Sequence, residues 1–259
     1  MILGNKMKDY LLHITHRGVW IIGVLLMTLV ASCEKSDPTD CFKNTGKDIT
    51  EKRDVAFFDK IELNDNVNLV ITQSDEYSIS VRGGKNLLKK IKTEIVDGTL
   101  SISNNNSCNW MRSFDREITV YANVEVINTI DYRGSGDLSS SNALVSDSLL
   151  LNVWEGAGKV DLNIDVLRNI IYFHIGTADV YYRGKANLAY ITASSFGPIH
   201  AEELDVGIIY MRSEGSNDCY VHPITRLEAT IKNIGNIYYK GNPVIVLNDE
   251  GSGELIKLE

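Results

Sequence analysis

The sequence predicts an all-β protein folded as a right-handed parallel β-helix, that is, a β-solenoid with rungs of about 18–22 residues. The first observation is a glycine-containing phrase, Gly134-Ser135-Gly136-Asp137-Leu138, which returns in altered form along the rest of the chain. Successive copies start 22, 20, 21, 18, 18 and 18 residues apart, and a fixed period near twenty is typical of stacked repeat proteins. The copies start at Gly134, Gly156, Gly176, Gly197, Gly215, Asn233 and Gly251.

The second observation is a strand pattern before each glycine phrase, as in Leu149-Leu150-Leu151-Asn152-Val153 and Leu188-Ala189-Tyr190-Ile191-Thr192. Each copy is therefore expected to contain two strands and two corners. A single unit of this kind cannot bury its apolar face, so neighbouring copies must stack in parallel about 4.8 Å apart. Because parallel crossover connections are almost always right-handed, the stack is predicted to be a right-handed β-helix.

One apolar position of the phrase is predicted to form an inward column, because it lies two residues beyond the second corner position in every copy. Glycine at the corners would let the stacked backbones approach closely. The predicted column contains Leu138, Val160, Val180, Ala201, Cys219, Ile237 and Leu255.

Residues 1–32 are predicted to be a lipoprotein signal peptide. Lys6, Lys8 and Arg17 precede or flank an apolar run of about a dozen residues that is too short to span a membrane. The run ends in Val30-Ala31-Ser32-Cys33, which resembles a bacterial lipobox, so Cys33 is expected to be the lipid attachment site. The alternative is an ordinary cleaved signal followed by an unrelated cysteine. The lipid would make this an outer membrane lipoprotein, facing either the periplasm or the cell surface.

The charge of the chain bears on its partners. The full sequence has a net charge of −8, and removal of residues 1–32, which carry +2, leaves −10. Such an acidic protein repels phosphate backbones, so no nucleic acid partner is expected. For the same reason, attachment to a membrane is expected through the N-terminal lipid and not through a basic patch.

Three cysteines remain after Cys33, at positions 41, 108 and 219. The chain has no Cys-x-x-Cys motif and no Cys/His cluster, which argues against a zinc site. Cys219 occupies an inward apolar position of the repeat and is expected to be a small buried side chain. Cys41 and Cys108 can form a disulfide in an oxidising compartment, or both can remain free thiols.

The segments before the repeats are less regular. Residues 33–54 are polar and are predicted to be a tether, and residues 55–126 are predicted to be a less regular part of the fold with alternating strands. Leu87, Leu88, Ile91 and Ile95 recur at helical spacing, and Asp97-Gly98 predicts a hairpin turn. Residues 104–116, which include Trp110, are predicted to be a projecting loop.

Several of these segments resemble the head GIN domain, a domain of unknown function described as an auto-transporter adhesin. The resemblance is carried by Phe58-Asp59-Lys60-Ile61-Glu62-Leu63, by residues 86–94 and by the repeated Gly-x-Gly-Asp-Leu phrase, and it covers about residues 55–259. It implies a bacterial envelope β-solenoid lipoprotein, with residues 127–259 as the regular repeats. Pro198-Ile199 and Asn233 depart from the phrase, which affects the expected geometry of those rungs.

The residues give no support for catalysis, a cofactor or a metal. Asp137, Asp179 and Asp218 share one repeat position, but other residue types interrupt the series, and an acidic residue beside a turn glycine usually serves the turn. No nucleotide-binding or hydrolase motif occurs. We therefore expect a non-enzymatic binding or adhesion protein of the cell envelope. The alternatives are a polysaccharide-active β-helix enzyme and a structural component of an envelope assembly.

One outward strip is the candidate binding surface. Alternation sends the residue after each inward position outward, and three of these residues are Tyr181, Tyr220 and Tyr238. Aromatic rings with hydroxyl tips suit a glycan or a surface protein as partner. The alternative is that tyrosine is simply favoured in strands and stacks on its like. The predicted strip contains Ser139, Asp161, Tyr181, Glu202, Tyr220, Tyr238 and Ile256.

Overall fold

A computed structural model describes residues 44–106 and 117–259. Of these residues, 65% lie in strands and 2% in helix, which confirms the predicted all-β class. The first seven strands are β1 (Asp48–Arg53), β2 (Lys60–Leu63), β3 (Asn68–Gln73), β4 (Ser78–Gly84), β5 (Ile91–Val96), β6 (Thr99–Asn104) and β7 (Thr119–Val124), and α1 (Lys85–Leu88) lies between β4 and β5. The others are β8 (Thr129–Tyr132), β9 (Leu138–Ser140), β10 (Leu144–Gly156), β11 (Lys159–Gly176), β12 (Asp179–Ala193), β13 (Ile199–Ser213), β14 (Cys219–Ile231), β15 (Ile237–Tyr239), β16 (Val244–Asp249) and β17 (Leu255–Lys257).

The second half of the chain is a regular β-solenoid of about six turns. From β8 and β9 onward, each strand pairs in parallel with its counterpart one rung later, and the long strands β10 to β14 each bend from one wall of the solenoid to the next. The register follows the period of the sequence, with Val160 opposite Val180 and Ile171 opposite Ile191. The predicted rungs and their parallel stacking are therefore confirmed.

The inward column is confirmed in six of its seven predicted positions and corrected in one. Leu138, Val160, Val180, Cys219 and Ile237 are fully buried and follow one another in register, and Leu255 ends the column. In the fourth copy, however, Ile199 and not Ala201 lies opposite Val180. The strand starts directly after Pro198, whose carbonyl accepts a hydrogen bond from the Val180 N–H. Ala201 is also buried, but it belongs to the neighbouring column beside Val221.

Close backbone contact between rungs explains the glycine corners. A Cβ atom at Gly197 would overlap the carbonyl oxygen of Ala178 in the preceding corner, and one at Gly176 would overlap the carbonyl oxygen of Gly156. Gly176 also has a φ of +142°, which side chains disfavour. The corner motif thus reflects how tightly the turns stack.

The N-terminal part is assembled in an order that differs from the chain order. Strands β2 and β3 lie between β6 and β7 on one side and β8 and β9 on the other, and all these pairings are parallel. The Asp97-Gly98 turn, with φ of 48° and 75°, reverses the chain between β5 and β6, as predicted. The predicted helix is limited to the single turn of α1, because Ile91 and Ile95 lie on β5.

The fold begins before residue 55. Residues 48–53, assigned from the sequence to the tether, form β1, which pairs antiparallel with β4 from Asp48 to Arg53. The strand was missed because its outward residues are mostly charged, while Ile49 packs against the core and Arg53 donates a hydrogen bond to the Leu88 carbonyl at 2.9 Å. Residues 48–53 therefore belong to the fold, whose predicted boundary at residue 55 lies too late in the chain.

The two ends of the solenoid are built differently. At the N-terminal end, the outer edges of β6 and β7 pair with the antiparallel strands β5 and β4, and α1 inserts Leu87 and Leu88 into the core. At the C-terminal end, β16 pairs with β14 and β17 pairs with β15, and no other described strand pairs with β16 or β17. The C-terminal rung therefore has one open edge.

Some predicted features lie outside the described residues. These are the lipid attachment site Cys33, the pair Cys41 and Cys108, and most of the loop that contains Trp110. Within residues 44–106 and 117–259, no helix has the length and apolarity needed to cross a membrane.

Candidate binding surface

Four outward side chains on consecutive rungs form a continuous stack, which we call the aromatic ladder: Tyr181, His200, Tyr220 and Tyr238. The strand register places them opposite one another along β12, β13, β14 and β15. Their ring centroids are 4.6, 4.9 and 4.7 Å apart in that order, and neighbouring planes differ by only 7–11°. The predicted contact between Tyr220 and Tyr238 is confirmed, and Tyr181, the third tyrosine of the predicted strip, belongs to the same stack.

His200 takes the place predicted for Glu202. A β-bulge sets Ala201 and Glu202 opposite the single residue Tyr182, so the two strands come back into register one residue later. Glu202 is displaced sideways from the ladder but stays beside it, with its Oε1 atom 3.4 Å from Nδ1 of His200. The bulge thus adds a carboxylate to the flank of the aromatic ladder.

Charged side chains close one end of the ladder. The Lys159 ammonium lies 4.7 Å from the centre of the Tyr181 ring, on the face opposite His200. Asp161 holds Lys159 in place at 2.9 Å and also pairs with Arg183. Burial favours the neutral acid, but the hydrogen bonds from Lys159 and Arg183 outweigh it and lower the pKa of Asp161. These residues keep the end of the ladder charged and ordered.

The ladder exposes the edges of its rings and not their faces. Each internal ring is covered by a ring on both sides, and all four side chains are half-buried. Burial, followed by the nearby Asp218 carboxylate, raises the pKa of Tyr220, which keeps its hydroxyl protonated as a hydrogen-bond donor. The Tyr238 hydroxyl accepts a hydrogen bond from Asn236 at 3.3 Å. A ligand would therefore meet a row of polar tips, one per rung.

A second aromatic group lies on another wall and was missed from the sequence. Tyr190 and Tyr210 stack at 5.2 Å, and together with Tyr172 they are among the most exposed tyrosines of the described chain, at 41%, 37% and 39%. The signal was available, because residues 190 and 210 are one period of twenty apart and both lie on the strand that precedes a corner. This group was missed because the outward strip was predicted only from the strand that follows each corner, and Tyr190 and Tyr210 lie on the strand that precedes it.

A third stack joins Arg133, Trp154 and His174. The rings of Trp154 and His174 are 3.5 Å apart and nearly parallel, and the Arg133 guanidinium lies 5.5 Å from the Trp154 ring. Burial, followed by the positive charge of Arg133, lowers the pKa of His174. This histidine therefore favours its neutral form in the folded protein.

The acidic residues of the glycine phrase serve the corners. Asp137 accepts a hydrogen bond from the Lys159 N–H at 2.9 Å, and Asp218 accepts one from the Asn236 N–H at 3.0 Å. Each carboxylate thus ties its corner to the next rung. Among the residues that the structure describes, no group of three or more His, Cys, Asp or Glu side chains is arranged to hold a metal ion.

Comparison with known proteins places the chain in a family. The family model described as "Putative auto-transporter adhesin, head GIN domain" matches residues 57–243. The chain belongs to the head GIN domain family. Its aromatic ladder and its regular rungs lie almost wholly within the matched region, so they are features of this head GIN domain.

Solved structures share the head GIN fold. A protein from Bacteroides fragilis described as a putative adhesin is 25% identical, with a TM-score of 0.74 over 82% of this chain and 97% of that one. A protein from Parabacteroides distasonis described as a putative lipid binding protein is 20% identical, with a TM-score of 0.63 over 83% of this chain and 98% of that one. No curated protein matches the chain.

Proposed function

We propose that this protein is a non-enzymatic adhesin of the bacterial cell envelope, anchored by a lipid on Cys33, that binds a glycan or a surface protein through the aromatic ladder. Membership of an adhesin family and the likeness to a Bacteroides fragilis protein described as an adhesin support the general role. The lipid anchor rests on the Val30-Ala31-Ser32-Cys33 sequence.

The observation that carries the proposal is the unbroken stack of Tyr181, His200, Tyr220 and Tyr238. Stacked rings on a rigid wall lose little conformational entropy when a ligand binds, and entropy loss is a large part of the cost of association. The exposed edges offer hydroxyl and imidazole groups at intervals close to the rung spacing. Such a row matches a long ligand with repeating hydrogen-bonding groups, such as an extended glycan chain.

The test is a binding screen of the full-length protein against a printed glycan array and a set of extracellular matrix proteins, followed by the variant Tyr181→Ala/Tyr238→Ala. We expect this double variant to keep its fold and to lose at least about tenfold in affinity for the ligand found, or roughly 1.4 kcal/mol. Tyr121→Ala is the matched control, since Tyr121 is also an exposed strand tyrosine but lies on β7, away from the ladder.

If Tyr121→Ala lowers the affinity as much as the double variant does, the loss does not depend on the aromatic ladder. Unchanged binding in the double variant would mean that the ladder is structural and that the ligand binds elsewhere.

A second candidate surface within the same function is the group of Tyr172, Tyr190 and Tyr210. Its side chains are more exposed than those of the ladder, which favours contact with a protein partner. Tyr190→Ala/Tyr210→Ala tests it in the same screen, and binding that depends on this pair and not on Tyr181 and Tyr238 would transfer the site to that wall.

A further inference from the structure

At the C-terminal rung, part of the hydrophobic core is not covered by any strand of residues 44–106 and 117–259. Leu247 continues an inward column whose other members, from Ile130 to Ala229, are at most 3% exposed, yet Leu247 itself is 44% exposed. Ile245, in the next column, is also partly exposed although its neighbour Leu227 is fully buried. Solenoids require a terminal repeat with a polar outer face, and this rung lacks one.

The edge of β16 is also open to further strand pairing. Its sequence, Val244-Ile245-Val246-Leu247-Asn248-Asp249, has no proline or lysine and a charge only at its end, so it lacks the usual protection of a free edge. The Glu250 N–H donates to the Ile231 carbonyl, which shows that even-numbered residues use their backbone groups toward β14. Ile245 and Leu247 therefore direct their N–H and C=O groups to the open edge.

We propose that the occupant of this edge is a second copy of the same chain, joined through antiparallel pairing of β16 with β16 about a two-fold axis. The strand is self-complementary in one register: Val246 faces Val246 of the second copy, and Ile245 faces Leu247. In that register the outward valines meet each other, the inward apolar residues meet each other, and the free backbone groups of Ile245 and Leu247 form the hydrogen-bonded pairs. An isologous contact of this kind closes on itself and does not propagate into a fibre.

The arrangement would join two solenoids end to end. Both open core ends would be covered at once, because Leu247 and Ile245 of each copy would continue the columns of the other. The N-terminal ends, which β1, β4, β5 and α1 already close, would lie farthest from the contact. The edge pairing thus provides the cap that the C-terminal rung lacks.

The test is disulfide cross-linking of the full-length protein in mild detergent, using Val246→Cys. Val246 would form a pair without mutual hydrogen bonds, in which Cα atoms are about 4.5 Å apart, a distance that a disulfide can span. Under mild oxidation we expect Val246→Cys to form a covalent dimer. Val145→Cys is the matched control, because Val145 is an exposed valine on β10. Its cross-linked fraction should equal that of the wild-type protein, which measures the background from the native cysteines.

A second variant, Leu247→Lys, places a charge at the edge without filling a closed core, since Leu247 is already exposed. Added to Val246→Cys, it should reduce the cross-linked fraction by about tenfold or more. By sedimentation equilibrium, the wild-type protein should be a dimer and Leu247→Lys a monomer.

Cross-linking of Val246→Cys at the level of Val145→Cys would overturn the proposal, as would a monomeric wild-type protein. In Val246→Cys, an intramolecular disulfide between the introduced thiol and a native cysteine would also overturn it, because it would show that the N-terminal segment of the same chain covers the edge. If Leu247→Lys loses its circular dichroism spectrum, the comparison of the two cysteine variants decides alone.

Discussion

At the scale of single residues, the contribution of each ring depends on its position in the aromatic ladder. Tyr220 stacks on His200 and on Tyr238, whereas Tyr238 stacks on one ring only. Aromatic pairs contribute about 0.5–1.5 kcal/mol each beyond the burial of their surface. Although Tyr220 and Tyr238 are both half-buried tyrosines, we therefore expect them to contribute differently to stability.

We predict that Tyr220→Ala lowers the free energy of unfolding more than Tyr238→Ala, by roughly the energy of one stacked pair, about 1 kcal/mol. Urea unfolding followed by circular dichroism measures both values. Tyr220→Phe is the control that keeps the stack and removes the hydroxyl. Equal losses for the two alanine variants would show that the stacking adds nothing measurable to stability.

His174 gives the folded protein a dependence on pH. Its pKa is lowered by burial and by Arg133, so the unfolded chain takes up a proton at a higher pH than the folded chain. We predict that the free energy of unfolding falls as pH decreases from the ordinary histidine pKa of about 6.5 toward the lower folded value. His174→Phe keeps a ring against Trp154 and should reduce this loss.

The measurement is urea unfolding of both proteins at a pH above and a pH below this window. If the free energy of unfolding changes with pH by the same amount in wild type and in His174→Phe, other groups cause the pH dependence.

How far the ladder could be predicted also depends on single residues. Tyr181, Tyr220 and Tyr238 were placed correctly, because alternation after the inward column determines their side of the strand. His200 was missed because counting from Gly197 assumed a regular corner, whereas Pro198 starts the strand early and a bulge then restores the register. Such a local shift leaves no periodic signal in one sequence.

At the scale of structural elements, the corners limit what the sequence can vary. The corner at Gly197 is so close to the preceding one that a side chain would meet the Ala178 carbonyl and the Phe173 ring. The strands between corners are held by ordinary side-chain packing and tolerate many residue types. The glycine spacing therefore predicted the rungs even though the strands themselves share little sequence.

We predict that Gly197→Ala lowers the free energy of unfolding by on the order of 2–4 kcal/mol, because two backbones must separate to admit the methyl group. Ser216→Ala, at an exposed site in the next corner, should change it by less than about 0.5 kcal/mol. Chemical denaturation of both variants makes the comparison. Similar small effects would mean that the corners can shift apart without cost.

At the scale of the whole molecule, the regular repeats were predictable and the N-terminal assembly was not. Seven copies of the glycine phrase, spaced by about twenty residues, specify which strands are neighbours. Strand β2 lies between β6 and β8, and β3 lies between β7 and β9. These pairings bring together residues that are far apart in the chain, and no sequence repeat marks them. Similarly, the charged outer face of β1 conceals a strand within a polar segment.

The lipid anchor is a prediction at this scale. Cys33→Ala should move the protein from the membrane fraction to the soluble envelope fraction, because no thioether-linked lipid can form without the thiol. Cell fractionation followed by immunoblotting detects the change, with Cys41→Ala as the matched control. If Cys33→Ala remains with the membranes, another segment or partner holds the protein there.

The position of β2 and β3 sets an order for folding. These strands appear early in the chain, but both edges of their layer are filled by segments that follow, up to β9. Contacts between such distant segments close slowly, because a long loop must be ordered before they form. Later rungs, in contrast, each add to a neighbour that is already present. We therefore expect the layer formed by β2, β3 and β6 to β9 to be the nucleus on which the regular rungs grow, and a chain arrested before β9 to have no finished template for them.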